Sequence, residues 1–176
     1  MKFSQFLAAL LVVSGAVQTL GAEMEIASSG EVAFREGKDE YRVGMDSKDF
    51  QKQFGPPEQT FDIGGGRQQL NYDKDGLIVV VSPKGKVVLF NFTIKADASG
   101  MAKAHAKTDK GIDADASIRQ VVKAHGEPTK REDETVGGES FVNLIYKIAD
   151  DHWLIFRFFD GEFARCFISD VPDPGK

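Results

Sequence analysis

One cysteine stands in 176 residues, so Cys166 has no intramolecular partner for a disulfide. The chain has to be held by packing and not by cross-links. Within "FARCFIS" this cysteine reads as a small buried apolar residue on a strand and not as a reactive thiol. Histidine is nearly as scarce. His105, His125 and His152 fall in a connecting segment, at a helix end and beside a turn, with no H-x-x-x-H or comparable spacing between them. His125, near a helix C-terminus, is expected to be stabilised when protonated. No serine occupies a G-x-S-x-G context. These gaps leave no recognisable metal, cofactor or nucleophile motif, and the chain is expected to be no enzyme and to carry no cofactor.

Basic runs are missing as well. The 22 Lys and Arg are outnumbered by 27 Asp and Glu, for a net charge of −5, and no basic block is present to follow a phosphate backbone. Nucleic acid is not an expected partner. Long apolar runs are absent too: the stretch Phe6 to Val13 is shorter than the roughly 20 residues of a membrane span.

That short run sits in "MKFSQFLAALLVVSGAVQTLGAEME", behind Lys2 and ahead of the small residues Gly21 and Ala22 and the acidic Glu23. The pattern is that of a secretory signal peptide over residues 1–22, cleaved after Ala22. A lipoprotein signal would place a Cys just after the apolar run, and none is there. The mature chain is expected to be exported, periplasmic or secreted, soluble, without a lipid anchor and still acidic, with a net charge of −6.

What is present is a doubled motif. "DFQKQFGPP", from Asp49 to Pro57, returns as "QVVKAHGEP", from Gln120 to Pro128. In the first copy Asp46 can cap a helix that carries Phe50 and Phe54 on one face, with Gly55 to stop it and Pro57 to prevent its resumption. In the second, Ser117 and Gln120 form a capping box ahead of the apolar stripe Ile118, Val121 and Val122, and Gly126 is the stop. After each helix come runs that read as three strands. The first set is Gln68 to Tyr72, Leu77 to Val81 and Lys86 to Ile94, with turns at Asp75-Gly76 and Pro83 to Gly85; the second lies in "SFVNLIYKIADDHWLIFRFFDGEFARCFIS", with a hairpin at Asp160-Gly161. The fold class is therefore α+β: two tandem units, each a short helix on a three-stranded antiparallel meander, able to share one sheet.

The expected organisation is an N-terminal hairpin over 23–42 with its turn at Gly37-Lys38 and a place at a sheet edge, a first unit over 43–94 and a linker over 95–111. A second unit over 112–170 and a tail over 171–176 complete it. A brief helical turn is expected in the linker around Met101 to Lys107. "DIGGGRQQ" follows a helix stop and precedes a strand, so its glycines read as a turn and not as a phosphate loop. The charges of "KREDETV" and "DKDG" read as solvated loops, and "NFT" at Asn91 lies within a strand.

The pattern Gly44, Met45, Asp46, Asp49, Phe50, Phe54, Gly55 and Pro57, followed by a strand ending in Tyr72, resembles the helix–strand unit of the SmpA/OmlA outer-membrane assembly lipoproteins and of the β-lactamase inhibitory protein. Ser117, Gln120, Val121, Gly126 and Pro128 carry it in the second unit, where Asp115-Ala116 replaces the opening Gly-Met and His125 an apolar residue. The resemblance implies this fold and, by analogy, protein binding through loops and a sheet surface.

Alternation along the last hairpin places Leu154, Phe156 and Phe158 on one face and Trp153, Ile155, Arg157 and Phe159 on the other. On the final strand Ala164, Cys166 and Ile168 are expected to face the helix, with Phe163, Arg165 and Phe167 opposite. A partner-binding surface is expected from Trp153, Arg157, Phe159, Phe163, Arg165 and Phe167, since Trp, Phe and Arg are enriched at protein contacts. The expected function is a non-enzymatic binding module for another envelope or secreted protein, with the oligomeric state left open. The alternative is a carrier of a small ligand or envelope component in the same concavity.

Overall fold

The structure, a computed structural model, describes residues 23–34, 40–95 and 100–172. The expected signal peptide over residues 1–22 and the expected turn at Gly37-Lys38 lie outside the described residues. Three short strands open the described chain: β1 (Met24–Ile26), β2 (Glu31–Phe34) and β3 (Glu40–Arg42). Helix α1 (Ser47–Phe54) follows, then β4 (Gln59–Asp62), β5 (Gln68–Tyr72), β6 (Leu77–Val81) and β7 (Val87–Thr93). After β8 (Ala106–Thr108) come α2 (Ile118–His125), β9 (Lys130–Val136), β10 (Glu139–Ala149), β11 (His152–Phe159) and β12 (Glu162–Ser169).

Local chemistry sets the two helices. The Asp46 side chain accepts from the Lys48 amide at 2.9 Å and caps α1. At α2 the capping box closes in both directions, with Ser117 N–H donating to Gln120 Oε1 at 2.8 Å and Gln120 N–H to Ser117 Oγ at 3.4 Å. Gly55 (φ 109°) and Gly126 (φ 84°) stop them in a region that favours glycine. Each helix has eight residues, too few to persist alone, and packing must supply the rest.

The strands form two sheets. The larger has the order β4-β5-β6-β7-β12-β11-β10-β9 and is antiparallel throughout. The smaller, β3-β2-β1-β8, is antiparallel except for the parallel pair β1–β8. One core joins them: Phe50 of α1, Val121 of α2 and Met24, Ile26, Val32 and Tyr41 of the small sheet cluster with Leu70, Val79, Phe90, Phe92, Leu144, Phe156 and Ile168 of the large one. Full burial of each such side chain stabilises by about 1.5–3 kcal/mol.

Several expectations are corrected. Four strands, not three, follow each helix, because β4 and β9 add an outer strand on either side. "KREDETV" is β9 and not a loop; its charges pair at i, i+2, Lys130 with Glu132 at 2.5 Å and Arg131 with Asp133 at 2.7 Å, which is the strand repeat written in charge. The N-terminal hairpin does not extend the large sheet but founds the small one. No helical turn occurs from Met101 to Lys107: this stretch runs into β8, and Met101 and Ala104 are buried. Its path explains Gly76, at φ 64°, where an added Cβ would lie 2.4 Å from the Ala102 carbonyl oxygen.

Candidate functional site

One face of the large sheet carries the core. The opposite face is built in rows by the strand register. One row reads Asn91 (β7), Phe167 (β12), Ile155 (β11), Ile145 (β10) and Lys130 (β9); the next reads Thr93, Arg165, Arg157, Asn143 and Glu132. Val80, Leu89, Ile145, Ile155 and Phe167 form a second apolar cluster on this face, with Val88 and Trp153 against it, and among the described residues no helix or small-sheet side chain belongs to it. Met101 meets this face at Thr93, whose hydroxyl lies 3.9 Å from its sulfur. Phe141 and Phe159 pair their rings at 5.1 Å at the hairpin end.

The expected surface residues divide unequally. Trp153, Arg157, Phe159 and Arg165 are half-buried on this open face, and Phe167 packs into it. Phe163 is corrected to the other side. Arg157 pairs with Arg165 but Phe158 with Phe163, so Ala164 is an extra residue that shifts the alternation. Phe163, 4% exposed, enters the core with rings of Phe156 and Phe158 at 5.7 and 5.4 Å. The β10 residues Phe141, Asn143 and Ile145 complete the face and were not singled out from the sequence, although the alternation of "FVNLIYK" contains them.

Arg157 is held from two sides. Its Nε donates to Asn143 Oδ1 at 2.8 Å and its guanidinium lies 4.9 Å from the Phe167 ring centroid, a cation–π contact. The Asn143 amide in turn donates to Glu132 at 3.4 Å. Asn91, 7% exposed, keeps an Oδ1 without a hydrogen-bond partner. Such an unmet buried acceptor costs about 1–3 kcal/mol.

No group of three or more His, Cys, Asp or Glu suited to a metal occurs among the described residues, and no described helix is long and apolar enough to cross a membrane. Cys166 is buried and burial pushes its thiol far above the ordinary range. His125 packs its ring beside Tyr146 and Phe156, and burial, then Lys110, lower its pKa against the pull of Asp109, opposite in direction to the helix-end effect expected. A cleft of about 400 Å³ lies at the N-terminal end of α2, lined by Ile94, Lys103, Ser117 and Phe163, and not on the open face.

No family model and no curated protein matches the chain. Among solved structures, the DUF4309 family protein YjgB of Bacillus subtilis superposes with a TM-score of 0.52 at 11% identity, over 81% of this chain and 88% of its own. A cysteine-rich secretory protein of Staphylococcus aureus gives 0.46 at 12% identity over 72% of this chain, which spans 44% of that protein. A candidate β-lactamase inhibitor protein of Streptococcus mutans gives 0.30 at 13% identity, over 85% of this chain and 91% of its own. Of these three, the Bacillus superposition alone is close enough to speak, and it speaks for the fold alone.

Proposed function

We propose that the protein is an exported, non-enzymatic binding module that presents the open face of its eight-stranded sheet to another envelope or secreted protein. The observation that carries the reading is a sheet with two apolar faces, of which one is covered by helices and the small sheet while the other has Trp153, Arg157, Phe159 and Phe141 at its surface. Aromatic and Arg side chains around a desolvated centre are the composition of a protein-binding hot spot. Export rests on the leader pattern of residues 1–22.

The same reading takes the two halves as copies of one unit. Each helix ends at a glycine whose carbonyl oxygen accepts a tyrosine hydroxyl, Tyr72 to Gly55 at 3.2 Å and Tyr146 to Gly126 at 3.0 Å. In both halves four antiparallel strands follow the helix, and the two sets meet at β7 and β12.

The test is a photo-crosslinking side chain placed at Trp153 and, in a control, at the exposed Lys123 of α2. A discrete protein adduct from position 153 and none from 123 is expected in envelope extract. Identical products from both, or none from 153, would overturn the reading.

A further inference from the structure

Among the described strands, the large sheet ends in β4 at one edge and in β9 at the other, and the two edges are finished in opposite ways. Strand β9 begins with Lys130, Arg131, Glu132, Asp133 and Glu134, and charges of this kind keep an edge from pairing. Strand β4 has a single charged residue, Asp62, and is exposed along its whole length. Phe61 within it is 44% exposed and Ile63 just after it 47%, more than any other large hydrophobic side chain among the described residues.

The register shows which backbone groups of this edge point away from the sheet. Ile63 donates its N–H to the Arg67 carbonyl at 3.1 Å, and the ladder continues with Phe61 opposite Gln69 and Gln59 opposite Asn71. Bonded residues alternate in an antiparallel ladder, so Gln59, Phe61 and Ile63 turn their backbone groups to β5, and Thr60 and Asp62 turn theirs outwards. The side chain of Phe61 lies on the open face, where it continues the row of Gln69, Val80 and Leu89, and Ile63 follows on the same side.

A second copy of the chain carries the same edge, and a two-fold axis can pair β4 with β4 through the outward groups of Thr60 and Asp62. Centred on Asp62, the pairing sets two Asp62 carboxylates against each other. Centred on Thr60, it sets Asp62 against Glu58. Centred on Phe61, it sets Asp62 against Thr60 and Ile63 against Gln59, with no acidic pair in opposition. From this charge complementarity we infer that a second copy of the chain occupies the β4 edge, antiparallel and centred on Phe61, with Thr60 and Asp62 hydrogen-bonded to Asp62 and Thr60 of that copy and the two Phe61 rings adjacent across the axis. The axis stands across the sheet, so both open faces look the same way and the dimer presents the face twice. The contact uses none of Trp153, Arg157 or Phe159, and it stands or falls independently of the binding-module reading.

The experiment is sedimentation velocity of the mature protein over a concentration series, with cysteine trapping as a second readout. A monomer–dimer equilibrium is expected. Thr60→Pro removes an outward N–H and no bond to β5, and Phe61→Lys sets two like charges across the axis; each is expected to weaken the dimer about tenfold or more. Under mild oxidation Phe61→Cys should close a disulfide between copies, since the two positions face each other, and Ile63→Cys should not, since its copies stand farther apart than the roughly 7 Å that a disulfide spans. Cys166 is buried and stays out of this reaction. A chain that remains monomeric up to millimolar concentration would overturn the inference. A dimer indifferent to both Thr60→Pro and Phe61→Lys, or trapping of Ile63→Cys as readily as Phe61→Cys, would overturn the β4 contact. A monomeric chain whose Phe61→Cys variant traps a different protein from envelope extract would overturn the second copy as the occupant.

Discussion

The half built on α1 and the half built on α2 end their helices in the same way and finish their sheet faces differently. In both, a glycine stop is bound by a tyrosine from a neighbouring strand, at 3.2 and 3.0 Å. Around α1 the packing is aromatic: Phe50 meets the rings of Tyr41 and Phe54 at 5.2 Å and of Tyr72 and Phe90 at 5.7 Å. Around α2 it is Val121 with Ile118, Val122 and His125. On the open face the first half sets Gln69, Asn71 and Asn91 beside Val80 and Leu89, and the second sets Trp153, Arg157, Phe159 and Phe141 around Ile145, Ile155 and Phe167. The shared part is what a short helix needs in order to stop and seat. The part that differs is free of that demand, and there a binding role can be written.

The largest test of this contrast is in the two helices. Phe50→Ala removes a fully buried ring with four aromatic neighbours and is expected to cost about 3–5 kcal/mol; Val121→Ala, equally buried but smaller, about 2 kcal/mol. Urea unfolding midpoints at constant slope would check the order. Equal costs would mean that aromatic packing lends α1 no special weight.

Next comes the boundary between the two faces within β12. Phe163→Ala opens the core and should cost about 3 kcal/mol, whereas Arg165→Ala, two residues on and facing outwards, should cost under about 1 kcal/mol. A reversed order would place the bulge elsewhere than Ala164.

How far the sequence reveals this architecture depends on what sets each piece. Caps, stops and turns are local, and Asp46, Ser117, Gly55, Gly126 and Asp160-Gly161 all appear in the roles their chemistry suggests. The bulge at Ala164 is not local: a strand and its bulged form have the same composition, and the extra residue shows only in the partner strand's register. Strand β9 escaped because its first five residues are all charged, its opposite charges meeting only at i, i+2 in Lys130–Glu132 and Arg131–Asp133, while hydrophobic period is the usual signal. Strand β8 escaped because three residues, Ala106 to Thr108, gain their pairing from β1, some eighty positions away in the chain. Half of the open face was legible for the same reason: Trp153, Arg157 and Phe159 alternate on one strand, while Asn91 and Asn143 join them only through the sheet order.

A smaller effect compares the two tyrosine corners. Tyr72→Phe and Tyr146→Phe each delete one hydrogen bond to a helix-stop carbonyl, and each should cost about 1 kcal/mol. Burial, with Glu127 adding, pushes the Tyr146 phenol from 10.0 up to about 12. The folded state then holds the proton where the unfolded state has released it. The contribution of Tyr146 is therefore complete below about pH 10 and lost as the pH rises to about 12. Tyr72 is raised in the same direction by burial, Glu58 and Asp75. Alkaline unfolding of each Phe variant, set against the wild type, should remove part of the slope in this range; an unchanged slope in both would mean that the corners do not stay closed.

The smallest effect separates the halves at the acid end. His125 has no counterpart around α1, where Phe54 holds the matching place before the glycine. Its pKa lies below the ordinary 6.5, chiefly through burial and then Lys110, with Asp109 opposing, and its Nε2 is buried without a hydrogen-bond partner. The unfolded chain thus binds this proton more readily than the folded one. Stability from His125 is full above about 6.5 and falls as the pH drops through that value towards the lower folded pKa. His125→Phe, which supplies the residue found at the end of α1, should flatten the decline of the thermal midpoint between about pH 7 and 5 and leave the alkaline limb unchanged. A steeper decline would mean instead that the protonated ring is held by the helix end, as the sequence alone suggested, and that helix polarity outweighs burial at this site.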